Sequence, residues 1–316
     1  MDKDTIKRLI IEYQQFVVNI TLIEREIHLS HQLNYVFVGL RRAGKSYLMY
    51  QQIQSLLNDG HQPEEILYFN FEDDRLVNLT VEDLDLIKVS YEELYPHKPI
   101  FFLDEIQIVE HWEKFARRLA DQQYRVYITG SNAKMLSAEI ATTLGGRYIV
   151  QNVYPFSFSE FLKASKIEIG PTWYYKNRTE IVRTFSDYFS YGGLPELMLI
   201  ETIEKRQWLS NLFNKIFFGD LITRYSIRND LAMKVLIRKL AESVKQPSSF
   251  NRLTNIVSTT GAKVSTDTII DYLNFLQATW LFFSLENYAS KLVEKISNRK
   301  YYFIDNGLLN LSLIHI

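Results

Sequence analysis

The chain reads as an α/β protein, a parallel β-sheet with helices on both faces. Three observations predict this. Short, nearly continuous apolar runs recur at 35–38, 66–71, 100–103, 124–128 and 148–153, as strands covered on both faces require. Helical stretches separate them, and strand–helix alternation is the pattern of a parallel sheet. The first run feeds a glycine loop, Gly39-Leu40-Arg41-Arg42-Ala43-Gly44-Lys45-Ser46, which opens at once into a helix over 47–57.

The elements follow in order. Residues 4–20 carry Ile6, Leu9, Ile10, Tyr13 and Val17 on one stripe, the spacing of an amphipathic helix packed outside the sheet. Thr80 with Asp83 three residues on forms a capping pair for a helix running toward Tyr95. Pro96 and Pro99 bracket the next turn, and the strand 100–103 ends in Asp104-Glu105. A helix over 112–121 and a strand ending in Thr129-Gly130-Ser131-Asn132 come next. A helix over 137–144, Gly145-Gly146-Arg147 and the strand 148–153 follow. From Pro155 the character changes: 156–165, 174–191, 204–218 and 231–245 read as helices, with Gly192-Gly193-Leu194-Pro195 as an ordered break. The last quarter predicts a helix over 250–257, a turn at Thr259-Thr260-Gly261, a helix over 266–277 capped by Ser265, and strands at 280–285 and 300–304. Helix, turn, helix and hairpin in that order suggest a winged helix-turn-helix. The expected domains are therefore an α/β domain over 1–160, a helical lid or connector over 161–230, and a winged-helix-like domain over 231–316.

Composition narrows the chemistry. A chain of 316 residues with 47% hydrophobic and 14% aromatic residues has ample core material and argues against long disorder. Its lack of cysteine removes disulfides, cysteine zinc sites and thiol catalysis together. The six histidines show neither metal-ligand spacing nor a triad arrangement. The start, Met1-Asp2-Lys3-Asp4-Thr5, is too charged for a signal peptide, and no apolar run approaches the roughly 18 residues of a membrane span. A soluble, cytoplasmic protein is expected. Charge is unevenly shared: residues 205–316 hold 15 Lys and Arg against 8 Asp and Glu, so a net −1 overall divides into an acidic front and a basic back. The basic half suits a polyanion or simply solvates helix faces.

The glycine loop carries the sharpest signal. Gly39, Gly44, Lys45 and Ser46 stand at the spacing of a phosphate-binding P-loop. Glycines let successive backbone N–H groups turn toward phosphate oxygens, and the helix N-terminus adds partial positive charge. The residues from Gly39 through Leu40, Arg41, Arg42, Ala43, Gly44, Lys45 and Ser46 to Tyr47 are the expected ATP contacts. Lys45 is placed for the β- and γ-phosphates and the Ser46 hydroxyl for Mg²⁺. An apolar strand ending in an acid then makes Asp104 the second metal-binding residue, and Glu105 beside it the candidate general base for the attacking water. Ser131 and Asn132 are candidates to sense the γ-phosphate or lytic water, or alternatively to cap the following helix. Arg147 is a candidate to stabilise developing charge in a neighbouring subunit, or else a surface ion-pair partner. In the C-terminal half, Asn274 and Gln277 are the obvious base readers on a helix that also carries Asp267 and Asp271. Arg252, Lys263, Lys291, Lys295, Arg299 and Lys300 are candidate phosphate grips. The partner is DNA or a protein.

These motifs resemble a known family. Gly39 to Ser46, Leu103-Asp-Glu-Ile-Gln107 followed by Trp112, Thr129-Gly-Ser-Asn132, Leu144-Gly-Gly-Arg147 and Pro155-Phe-Ser-Phe-Ser-Glu-Phe161 are similar to those of prokaryotic AAA+-type ATPases. In that family an N-terminal AAA domain is joined to a C-terminal domain of unknown function. Tyr191-Gly-Gly-Leu-Pro-Glu196, the segment 220–224 and Phe303-Ile-Asp-Asn-Gly307 resemble the second domain. The resemblance implies an ASCE-type P-loop core, ATP with Mg²⁺, and the roles above for Lys45, Ser46, Asp104 and Glu105. It also supports a sensor at Ser131 or Asn132 and a finger at Arg147, and a finger acting in trans requires a homo-oligomer. Relatives commonly continue past Asp305-Asn306-Gly307 into a nuclease-like region; this sequence stops at Ile316, as a shortened member or with its end lost, so no activity of that region is assigned to it.

Overall fold

The protein is described here from a computed structural model covering residues 2–76, 79–130, 142–168, 170–244, 246–261, 263–286, 288 and 298–315. It divides into two compact units. One comprises Met1–Gly39 and Gly44–Val153, the other Leu40–Ala43 and Tyr154–Ile316. The connector 161–230 and the segment 231–316 thus fall within one unit.

The first unit holds five strands, β1 (Asn34–Val38), β2 (Ile66–Asn70), β3 (Ile100–Asp104), β4 (Val126–Gly130) and β5 (Tyr148–Asn152), in the order β2-β3-β4-β1-β5. Every pairing is parallel. The four strands β1 to β4 are almost wholly buried, which explains their unbroken apolar runs. Tyr127 holds the middle of the sheet, stacked at 4.6 Å on Phe102 of β3 and at 5.9 Å on Tyr35 of β1. One strand, β4, stands between β1 and β3, the insertion that defines an ASCE-type sheet. Because all strands run the same way, the loops after β1, β3 and β4 gather at one edge.

Helices cover this sheet. Helix α1 (Lys3–Asn19) is capped by Asp2 and buries Ile6, Leu9, Ile10 and Val17. Gln14 donates to the carbonyl of Ile66 at 2.9 Å, fixing α1 against β2. Helix α2 (Lys45–Asn58) starts directly from the glycine loop. Helix α3 (Val81–Leu94) opens with the Thr80–Asp83 capping box, and α4 (Trp112–Asp121) spans the expected residues. Most of the helix expected over 137–144 lies outside the described residues.

The second unit is mainly helical. Helix α5 (Phe158–Ala164) is opened by a Ser157–Glu160 capping box. The single helix expected over 174–191 is instead two, α6 (Trp173–Lys176) and α7 (Arg178–Tyr191), broken at Asn177. The helix expected over 204–218 is α-helical as α8 (Thr202–Asn214), then continues as a π-helix (Lys215–Thr223). Helix α9 (Asp230–Glu242) precedes a short strand, β6 (Ser248–Ser249), which periodicity does not reveal. Helices α10 (Phe250–Thr259) and α11 (Thr266–Ala278) follow, the second capped by Ser265. Strands β7 (Phe282–Leu285) and β8 (Asn298–Phe303) pair antiparallel in a sheet of order β6-β8-β7. A final helix, α12 (Asn306–His315), packs on α7 and was not expected from the sequence.

Asp305 explains two of the glycine motifs. Its buried carboxylate accepts N–H groups from Gly193 and Gly307 at 2.8 Å and from Leu308 at 3.2 Å. Gly192 sits at φ +84°, where a Cβ would collide with that carboxylate. Burial pushes the Asp305 carboxyl up to about 6, against the opposing pull of the three N–H donors.

Candidate nucleotide site

The glycine loop takes the shape its residues predict. Gly39 has no room for a side chain, because a Cβ would run into the carbonyl of Val153. Gly44, at φ +95°, turns the backbone into α2 in the left-handed region that glycine enters without penalty. Lys45 is buried, and its ammonium donates to the carbonyl of Gly39 at 3.3 Å, folded back across its own loop. A buried cation at a helix N-terminus is chemically suited to an anion.

Asp104, the last residue of β3, is enclosed on every side. Tyr68 donates to its Oδ2 at 2.8 Å, and Thr129 donates to its Oδ1. Burial pushes the Asp104 carboxyl upward, the hydrogen bonds from Thr129, Tyr68 and Ser46 pull it back, and the neighbouring Glu105 charge adds to the rise. Ser46 and Asp104 are the two expected Mg²⁺ residues, and the Ser46 hydroxyl helps hold down the Asp104 carboxyl. A carboxylate and a hydroxyl, completed by phosphate oxygens and water, make an oxygen set that fits Mg²⁺. No group of three or more His, Cys, Asp or Glu side chains suited to a metal is found among the described residues.

Glu105 follows in a left-handed backbone conformation, φ +55°, which costs a non-glycine residue of order 1 kcal/mol or more. Its N–H donates to Thr129 Oγ1 at 2.9 Å, so one hydroxyl accepts from Glu105 and donates to Asp104. Gln107 donates through Nε2 to Glu105 Oε2. Sequence reading missed Tyr68, Thr129 and Gln107. For Tyr68 and Thr129 the signal lay in register: Tyr68 pairs with Phe102, and Leu103 with Ile128, which sets Asp104 beside Thr129.

The remaining candidates are less concentrated. Ser131 and Asn132 lie outside the described residues, as do Lys291 and Lys295. Arg147 pairs with Asp121 at the end of α4, as an ordinary surface ion pair does. Tyr47 is half exposed. Arg41 and Arg42 belong to the second unit. There Arg41 meets Asp220 of the π-helix at 3.2 and 3.4 Å, and Arg224 meets the same carboxylate at 2.7 Å. Arg42 pairs with Glu196 and lies over the Trp208 ring at 5.6 Å. These contacts account for the acidic residues of two second-domain motifs. In α11, Asp267, Asp271 and Asn274 form the exposed face, whereas Gln277 accepts from Ser284 at 2.7 Å and is committed to the hairpin.

Comparison with known proteins agrees with this geometry. A family described as "AAA domain" matches residues 31–162, and a "Domain of unknown function (DUF8612)" matches 182–315. An uncharacterized protein of Methanocaldococcus jannaschii is 33% identical over 97% of this chain and 68% of its own length. The chain belongs to the AAA-type P-loop ATPase family with a C-terminal domain of unknown function. Another member, an uncharacterized protein of Haemophilus influenzae, is 32% identical over 91% of this chain and 72% of its own length. A Walker-type ATPase of Pyrococcus abyssi shares the fold at a TM-score of 0.50 and 11% identity, over 99% of this chain and 96% of that one. Among the described residues of this AAA protein, no helix is long and apolar enough to cross a membrane.

Proposed function

We propose that this AAA protein is a Mg²⁺-dependent, ATP-hydrolysing switch whose nucleotide state is passed to its C-terminal half. The observation that carries the reading is the buried Asp104 carboxylate at the end of β3, with Glu105 next in line, in a sheet whose glycine loop holds buried Lys45. Lys45 and the loop N–H groups bind the β- and γ-phosphates. Ser46 and Asp104 hold the metal, which supplies charge neutralisation when bound. Glu105 takes a proton from water as its oxygen attacks the γ-phosphorus.

Arg41 and Arg42 supply the coupling. Both lie in the phosphate loop, and both guanidinium groups pair with acids of the second unit, Asp220 and Glu196. Phosphate oxygens are strong competitors for guanidinium. Nucleotide binding therefore exchanges these partners. Comparing ATP turnover of wild type and Glu105→Gln tests the enzyme assignment. Equal rates with ATP still bound would leave only a nucleotide-binding regulator.

Helix α10, the turn, α11 and the β7–β8 hairpin read as a winged helix. In this reading Arg252, Lys263 and Lys300 grip DNA phosphates with little sequence preference. The acidic exposed face of α11 favours a second reading, a protein partner. A salt titration with nonspecific duplex separates them, since a phosphate grip binds at low salt and releases steeply as salt rises. The trans role of Arg147 requires its release from Asp121. Mixtures of Arg147→Ala and Lys45→Ala subunits that recover no activity at any ratio would rule it out.

A further inference from the structure

A general base must hold a lone pair toward the proton it removes, yet a glutamate carboxylate rides on a flexible tether. The backbone of Glu105 is held at both ends. Its N–H donates to Thr129 at 2.9 Å, and its carbonyl accepts from Ile108 at 3.2 Å. Neither contact orients the side chain. Gln107 does, by donating from Nε2 to Glu105 Oε2.

This meeting depends on local backbone shape. Side chains two residues apart do not face each other along a regular α-helix. Here Glu105 is left-handed and leads into a single 3₁₀ turn, Ile106–Ile108. Ile106 and Val109 are fully buried and pin that turn. The other end of the Gln107 amide adds a second observation. Among the described residues its buried Oε1 has no hydrogen-bond partner, an arrangement that costs free energy. Flipping the amide would set that oxygen against the carboxylate, so the donor must face Glu105.

We propose that Gln107 is the positioning residue of Glu105. It fixes one oxygen of the carboxylate and with it the direction of the other, as the third member of a catalytic group orients a base. The inference rests on the hydrolytic reading above. In that step water gives its proton to Glu105 while its oxygen bonds to the γ-phosphorus. The bond from that phosphorus to the bridging oxygen breaks, leaving the electron pair on ADP. Gln107 neither gains nor loses a proton.

Steady-state ATP turnover and binding of a non-hydrolysable ATP analogue test the proposal on the full chain. Gln107→Leu is expected to lower kcat roughly tenfold or more, with KM and analogue affinity within about twofold. Gln107→Glu, of the same shape but with an oxygen in place of the donor, is expected to lose at least as much. Combined with Glu105→Gln, Gln107→Leu is expected to add no further loss, because the amide acts only through the carboxylate. Wild-type kcat in both single variants overturns the proposal. So does a double variant that is slower than Glu105→Gln by the full Gln107→Leu factor, or a loss of analogue affinity matching the loss of kcat. A wild type no faster than Glu105→Gln overturns the hydrolytic reading itself, and the role of Gln107 falls with it.

Discussion

The Tyr68 hydroxyl donates to Asp104 Oδ2 at 2.8 Å and lies 3.0 Å from the Tyr50 hydroxyl, so a chain of two phenols ends on the expected metal carboxylate. Tyr68 pairs with Phe102 across β2 and β3, and Asn70 with Asp104. Tyr68 and Asp104 are therefore diagonal neighbours on one face of the sheet. Groups that orient a metal ligand commonly change metal affinity 10–100-fold when lost. Tyr68→Phe is accordingly expected to raise the Mg²⁺ concentration for half-maximal turnover roughly tenfold, leaving metal-free nucleotide binding unchanged. A Mg²⁺ titration at fixed ATP checks this, and an unchanged midpoint would count against it.

Thr129 serves both acids at once. Thr129→Val keeps the shape but removes the donor to Asp104 and the acceptor for the Glu105 N–H. Unpaired buried polar groups cost about 1–3 kcal/mol each. Both a lower melting temperature and at least a tenfold fall in kcat are expected. Thr129→Ser should restore most of each, because it keeps the hydroxyl.

Asp220 balances two arginines within the second unit. Its carboxylate is 11% exposed, against 20% for Arg41 and 22% for Arg224, and among the described residues Arg224 Nη1 has no hydrogen-bond partner. Breaking a buried ion pair from one side costs about 3–5 kcal/mol. Asp220→Asn leaves two guanidinium groups facing a neutral amide, and residual exposure places its cost at the lower end of that range. Chemical denaturation measures it. A loss below about 1 kcal/mol would show that solvent already screens the cluster.

Asp305 makes stability depend on pH. Its carboxyl is raised by burial from 3.8 to about 6 in the fold, so the folded chain holds the proton more tightly than the unfolded one. Its contribution is fully present below about pH 4 and is lost as pH rises through 6, by about 3 kcal/mol at most. Asp305→Asn sacrifices at least one of the three N–H bonds but removes this titration. The difference in unfolding free energy between wild type and variant should narrow from pH 4 to pH 7. A difference independent of pH would refute the assignment.

Much of the site was legible because its signals are local. Gly39, Gly44, Lys45 and Ser46 stand in one turn, and Asp104 ends an apolar run. Capping residues at Thr80 and Ser265 likewise announced their helices. The partners of these groups were hidden for the opposite reason. Nothing near Tyr68 or Thr129 in sequence marks either as a support for Asp104. Their role arises from strand register between segments 25 to 36 residues apart. The π-helix carrying Asp220 was also invisible, since its residues suit an α-helix equally well.

By itself, the sequence determined the alternation of strand and helix, the phosphate loop and the acid pair. Apolar periodicity and glycine placement act over a few residues and need no distant partner. Tertiary structure alone decided the strand order that puts β4 between β1 and β3, the left-handed turn at Glu105 that brings Gln107 onto its carboxylate, and the acids that Arg41 and Arg42 meet. Each depends on groups far apart in the chain, or on a backbone conformation that packing around Ile106 and Val109 must stabilise.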